Sequence, residues 1–316
     1  MVQINGAGAT FPYPIYSKWT NEYNRLHPNV RINYQSLGSG AGIRQLINRT
    51  VFFGASDQPM RDEQLQSAPC TVLHFPTVIG SVVPIFNLPG ITELQFTGPV
   101  LADIAMGKIT RWNDPALVKL NPGVALPDMA LTFVHRSDGS GTTFVWVDYL
   151  AKVSPEFRDT VGVDASVNWP TGVGAKGNEG VAGLVRQTPG ALGYAEPAYA
   201  NQTNIPFGSV QNGAGRFIKS SAESVTAAAA AAADMPADFR VSITNAPGDD
   251  AYPVASFTWM LFYEDPDQKT HARAMVEFMR WALTDGQQFA TELGYSPLPE
   301  NVVQMELEAL ERIRVE

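Results

Sequence analysis

Nine consecutive residues, His135-Arg136-Ser137-Asp138-Gly139-Ser140-Gly141-Thr142-Thr143, carry the densest chemistry in the chain. They place a fixed cation and a carboxylate among hydroxyls and glycines. Phe144, Val147, Leu150 and Ala151 follow at helical spacing, so the stretch reads as a glycine-rich loop opening onto a helix N-terminus. Unpaired backbone N–H groups and a partial positive charge make such a terminus suitable for an anion. Hydroxyls and a guanidinium fork complete a cradle for an oxyanion. The plainer alternative is a capped helix with a solvated Arg.

The same pattern occurs twice more. Gly6-Ala7-Gly8-Ala9-Thr10-Phe11-Pro12 precedes Ile15, Trp19, Tyr23 and Leu26 on one predicted helical face. Gly38-Ser39-Gly40-Ala41-Gly42 precedes Ile43, Leu46 and Ile47. Three glycine-flanked hydroxyls, each expected to cap a helix, suggest convergence on one ligand. Helix Ile43 to Asn48 leads into a predicted strand, Val51 to Asp57, with Asp57 at its tip. Strand, loop, helix, strand is the rhythm of an α/β fold, in which ligands sit beyond the carboxyl ends of strands.

These segments resemble a known family. GAGATFPYPIYSKW, INYQSLGSGAG, FGASDQPM, FPTVIG, RSDGSGTTF and, further on, KGNEGVAG and GALGYAEPAYA are similar to the periplasmic phosphate-binding components of bacterial high-affinity phosphate ABC transporters. The likeness runs from Ala7 to about Tyr199, and is weaker at Asp249 to Pro253 and Gly294 to Val302. It implies a two-lobed α/β binding-protein fold, type II-like, with a ligand cleft between lobes joined by two hinge strands near Val78 and Val254. The expected lobes are residues 1–77 with 255–316, and 78–254. Residue by residue, it implies that Thr10, Phe11, Ser39, Asp57, Arg136, Ser140, Gly141 and Thr142 contact phosphate, with Asp138 orienting Arg136. The implied partners are inorganic phosphate and the membrane permease, for a monomer without cofactor or metal. Export to the periplasm, or lipid anchoring outside a Gram-positive membrane, is implied as well.

Physical chemistry supports the assignment independently. A buried dianion needs a donor for almost every lone pair. Three helix starts, several hydroxyls and one Arg supply them without an excess of cations. A carboxylate in an anion site repels the ligand unless the ligand donates a proton, and phosphate at neutral pH does so whereas sulfate and molybdate do not. Asp57 is thus expected to set selectivity. Taken without the other loops, Asp57 reads as a turn carboxylate before Pro59. Arsenate carries the same proton and stays open as a ligand, as does a phosphate-binding role without a transporter. The likeness departs at Phe52, where the family commonly carries an acidic residue; a packing change is expected there.

The 316 residues fit roughly two domains, and 45% hydrophobic against 17% charged residues argues a buried core. A net charge of −9 argues against nucleic acid and acidic membranes as partners. It says nothing against an anionic ligand, because screening over about 8 Å leaves local dipoles in control. Cys70 is the single cysteine, so neither an intramolecular disulfide nor a thiolate metal cluster is available. No apolar run reaches a membrane span of about 20 residues. Met1-Val2 reads as a start placed on a mature sequence, which is expected to have lost an export leader.

An enzyme is the rival reading. Ser140, Asp138 and His135 are close in sequence, yet loop neighbours rarely place an imidazole over a hydroxyl. His27, His74 and His271 lack metal-ligand spacing, and metal carboxylates or a Lys-containing phosphate loop are not evident. His135 could tune the site near its ordinary pKa, but a satisfied histidine is the better expectation. Asn168 to Gly180 is a poor nucleotide fingerprint and is read as a structural loop at the cleft mouth. Ser220 to Glu223 fits a capping box before the alanine run Ala227 to Ala233. The apolar stretches Leu73 to Phe86 and Tyr252 to Tyr263 are the expected crossings, and helices are predicted at Thr270 to Thr284, Gly286 to Glu292 and Leu298 to Arg314.

Overall fold

The computed structural model describes residues 1–232 and 234–316. Two compact units divide the chain: Met1–Gly80 with Ala233–Ser242 and Phe257–Glu316, and Ser81–Ala232 with Ile243–Ser256. The chain therefore passes between units after Gly80, Ala232, Ser242 and Ser256, where the apolar runs predicted two passages. The middle two bracket a short excursion anchored in the first unit by four contacts. Trp259 donates its indole N–H to Phe239 O at 2.9 Å. Arg240 Nη1 donates to Met60 O and to Asp62 at 2.9 Å each. The rings of Phe75 and Phe239 lie 6.4 Å apart.

The first unit holds a five-stranded sheet in the order Val30–Ser36, Val2–Gly8, Phe53–Ser56, Ala255–Tyr263, Val72–Ser81. Its first three strands are parallel, and Ala255–Tyr263 runs antiparallel to Phe53–Ser56. The two long strands are buried at every position, as largely apolar strands covered on both faces are. Helix Tyr13–Leu26 buries Ile15, Tyr16, Trp19 and Tyr23, while Leu26, predicted on the same face, is 50% exposed at the helix end. Trp19 Nε1 donates to Gly286 O at 2.7 Å, fastening this helix to the C-terminal region. There the predicted helices appear as Lys269–Leu283, two 3₁₀ turns at Asp285–Phe289 and Thr291–Leu293, and Glu300–Leu310.

Helix Ser39–Ile47 lies against the strand ends at backbone distance. A Cβ on Gly42 would stand 2.5 Å from Gly8 Cα and 2.6 Å from Ala7 O, so only glycine permits this approach. Glu306 on the last helix is fully buried, and neither carboxyl oxygen has a hydrogen-bond partner. Burial pushes its carboxyl well above the ordinary glutamate range, so the acid stays neutral.

The second unit carries a four-stranded sheet ordered Val83–Phe86, Ala191–Ala195, Thr132–Arg136, Val173–Ala175, with the last three parallel. A three-stranded sheet and short helices complete it. The predicted apolar run Leu73 to Phe86 breaks at Val82, whose N–H donates to Val254 O at 2.9 Å. Helix Ala222–Ala231 is capped by Ser221, which exchanges hydrogen bonds with Ser224. The capping box predicted on Ser220 and Glu223 is thus displaced by one residue, and the Ser220 hydroxyl meets Ser81 Oγ at 2.6 Å. Ala233, the last residue of the predicted alanine helix, lies outside the described residues. No described helix is long and apolar enough to cross a membrane.

Two stability outcomes follow from these contacts. Gly42→Ala is expected to cost about 1–3 kcal/mol, read as a lower urea midpoint with an unchanged slope. For Glu306 the folded pKa is raised, so its stabilising share is complete below the ordinary carboxyl pKa and declines as pH rises toward the folded value. Glu306→Met, similar in volume, is expected to raise Tm more at pH 8 than at pH 5; an equal change at both would contradict a buried neutral acid.

Candidate anion-binding site

In the first unit, parallel pairing brings the predicted residues to one edge. Gly8 stands opposite Ala55 in register, so Thr10 and Asp57, each two residues further on, leave the sheet at the same end. Leu37 and Gly38 both donate to Gly8 O, at 2.9 and 2.8 Å, which seats the start of helix Ser39–Ile47 there too. Asp57 N–H donates to Ser39 Oγ at 3.1 Å. The structure therefore brings Ser39 and Asp57 into direct contact, with Thr10 on the neighbouring strand end. Phe11 is fully buried, and Tyr295 donates to its carbonyl at 2.6 Å, so the ring anchors the loop and the backbone N–H is what Phe11 can offer a ligand.

All three side chains are almost fully buried, Thr10 at 2%, Ser39 at 1% and Asp57 at 1% exposure. Asp57 Oδ1 accepts from Thr258 Oγ1 at 2.7 Å. The expected helix caps are not made. Helix Tyr13–Leu26 begins after Pro12 and helix Ser39–Ile47 after Gly38, neither with a side-chain cap. Ser39 turns its oxygen to the Asp57 N–H instead of to its own helix, which is why the hydroxyl pattern misread as capping.

In the second unit, strand Thr132–Arg136 delivers Arg136 directly to the loop before helix Gly141–Val153. Here the cap is made, Ser140 Oγ accepting from Thr143 N–H at 3.0 Å. The Ser140 hydroxyl hydrogen remains as a donor. Arg136 donates Nε to Asp138 Oδ1 at 2.7 Å and Nη2 to Oδ2 at 2.6 Å. This bidentate fork fixes the guanidinium plane, and Nη1 is buried without a hydrogen-bond partner. Burial alone would raise the Asp138 pKa, but the Arg136 bonds and charge and the Gly177 N–H hold the carboxyl below its usual range. Asp138 thus orients Arg136, and the pair carries no net charge.

Three supporting residues escaped sequence reasoning. Asn178 is fully buried at the start of helix Gly177–Gln187, and its Nδ2 donates to Thr142 Oγ1 at 2.9 Å. Thr142 then has its own hydrogen to donate. Gly177 N–H donates to Asp138 Oδ1 at 3.2 Å, so the loop read as structural in fact braces the Arg136 cradle. Tyr194 Oη accepts the Arg136 backbone N–H at 3.0 Å and lies 2.6 Å from Thr143 Oγ1. Burial pushes the Tyr194 hydroxyl up to about 12. The Lys176-Gly177-Asn178 turn opening a helix was the one available signal; nothing local marks Tyr194.

His135 packs as a satisfied residue. Its ring stacks on Trp169 at 5.2 Å and Nδ1 meets Arg136 O at 3.0 Å, and burial lowers its pKa against that bond. Phe52 takes a packing role, its ring 5.9 Å from that of His271.

Comparison with known proteins agrees on one family. Residues 2–286 match a family model described as a PBP superfamily domain. The chain is 50% identical to the phosphate-binding protein PstS of Pasteurella multocida, over 95% of this chain and 88% of that one. It is 46% identical to PstS of Haemophilus influenzae, covering 95% and 90%. Among solved structures, a high-affinity periplasmic phosphate-binding protein with bound phosphate superposes with a TM-score of 0.79 at 20% identity, covering 96% and 93%. A phosphate transporter substrate-binding protein of Clostridium perfringens gives 0.69 at 17% identity, covering 94% and 100%. These two establish the fold, which is the two-lobed α/β fold expected from the sequence. On sequence identity across nearly its whole length, the chain belongs to the PstS family of phosphate-binding proteins.

Proposed function

We propose that this protein binds inorganic phosphate and delivers it to the membrane permease of an ABC importer. It is a binding protein, not an enzyme. The observation that carries the reading is the Arg136 fork. A buried guanidinium already neutralised by Asp138 keeps a buried Nη1 for a further acceptor. That is the donor an oxyanion requires, supplied without net positive charge.

Thr10, the Phe11 N–H, Ser39 and Asp57 from one unit, with Arg136, Ser140, Gly141 and Thr142 from the other, would hold one ion. Lobes formed by residues 1–77 with 255–316 and by 78–254 would close on it about the strands near Val78 and Val254. Closure excludes water, which strengthens each hydrogen bond. Asp57 accepts the P–OH proton of hydrogen phosphate. Sulfate and molybdate offer it only acceptors, whereas arsenate satisfies the same groups and is the competitor to compare. The protein would act as an exported monomer in the periplasm or outside a Gram-positive membrane. A phosphate-binding role without a transporter would be distinguished by the genes that neighbour this one.

Calorimetric titration of phosphate into unfolded and refolded protein tests the reading, because refolding removes any ion carried through purification. Tight binding unmoved by excess sulfate is expected; no binding, or equal competition by sulfate, would overturn it. In Asp57→Asn phosphate affinity is expected to fall about tenfold or more, with sulfate becoming a competitor. Arg136→Lys loses the bidentate fork and leaves Asp138 poorly paired. A loss of about 3–5 kcal/mol, roughly a hundred-fold to several thousand-fold in affinity, is expected in the same titration.

A further inference from the structure

The edge of the first unit that carries Asp57 is backed by hydroxyls with no place in the ligand contacts above. Tyr16 Oη lies 2.8 Å from Thr77 Oγ1, Thr77 Oγ1 lies 3.1 Å from Thr258 O, and Thr258 Oγ1 lies 2.7 Å from Asp57 Oδ1. Tyr16, Thr77 and Thr258 are each fully buried. They come from three elements far apart in sequence: helix Tyr13–Leu26, strand Val72–Ser81 and strand Ala255–Tyr263.

Counting hydrogens gives the array a direction. The Thr258 carbonyl can only accept, so Thr77 spends its single hydroxyl hydrogen there. Tyr16 must then donate to Thr77. Burial, the largest influence, raises the Tyr16 pKa far above the ordinary tyrosine range, so the phenol keeps its proton at every working pH. The Thr258 backbone is thereby pinned by Thr77, and its hydroxyl points its hydrogen at Asp57 Oδ1. Among the described residues, the other titratable groups facing this array are Asp57 itself and Glu306. Glu306 is neutral by burial, so it adds no opposing charge.

We propose that Thr258, held by the Tyr16–Thr77 pair, is a specificity-determining positioning residue: it keeps Asp57 an ionised acceptor and so fixes which anions the site admits. Donation from Thr258 favours the charged form of a carboxyl sealed from water. Without that bond, Asp57 protonates more readily, and a protonated Asp57 donates to sulfate rather than rejecting it. The inference rests on the phosphate reading for its selectivity consequence, but its statement about Asp57 does not need a ligand.

The experiment therefore has two arms, on wild type, Thr258→Val, Thr258→Ser and Tyr16→Phe. In the first, 13C NMR of aspartate-labelled protein follows the Asp57 carboxyl, assigned by its loss in Asp57→Asn. Thr258→Val is expected to raise its titration midpoint by about one pH unit or more, Tyr16→Phe by less, and Thr258→Ser to restore it. In the second, sulfate competition against phosphate is measured from pH 5 to 8. Competition in Thr258→Val is expected to begin about one pH unit higher than in wild type, again restored by serine. An Asp57 midpoint equal in Thr258→Val and wild type would overturn the proposal. So would an equal loss of affinity for both anions with an unmoved pH profile, the mark of a merely structural residue. Should Thr258→Val fail to fold, Tyr16→Phe decides by the same midpoint. A shifted midpoint in a protein that binds no phosphate would support the Asp57 mechanism and overturn the phosphate reading alone.

Discussion

Moving a guanidinium out of water costs several kcal/mol unless its charge and its N–H groups are met, and Arg136 is only 4% exposed. Much of the second unit answers that cost. Asp138 takes two N–H groups, Gly177 steadies Asp138, and Tyr194 receives the Arg136 backbone N–H. Each of those residues is placed by a different strand or helix start of one sheet. Arg136 is held in one plane by its bonds to Asp138, and a donor oriented in advance lowers the cost of binding an acceptor.

The first unit meets a complementary difficulty. Its edge buries a carboxylate, Asp57, beside two hydroxyls and the starts of two helices. Helix starts favour negative charge, so they help to accommodate Asp57 as well as a ligand. The Ser39 contact to the Asp57 N–H and the Thr258 contact to Oδ1 tie the carboxylate down from two sides. One unit therefore presents an oriented donor and the other an oriented acceptor.

The loops were legible because their chemistry is local. Arg136 and Asp138 are two residues apart, and the glycines that permit tight turns sit beside the hydroxyls they position. The parallel strands and their helices followed from apolar periodicity. What escaped was long-range: Thr258 meets Asp57 across 201 residues and Asn178 meets Thr142 across 36, and nothing local names either partner. Thr10 and Ser39 misled for a related reason. A hydroxyl before a helix reads as a cap, yet Ser39 finds a better acceptor role on another strand. The excursion through residues 234–242 had no apolar run to announce it, since Trp259 and Arg240 hold it through backbone carbonyls.

The strand Ala255–Tyr263 bears on the order in which the molecule assembles. It pairs Trp259, Met260 and Leu261 with Ser56, Ala55 and Gly54, so the sheet begun by the first sixty residues stays open until some two hundred more have been made. Residues 81–232 contain a four-stranded sheet of their own and need no such wait. Closing so large a loop is entropically slow. The acceptor edge is thus completed only once this strand, which also brings Thr258 to Asp57, has paired.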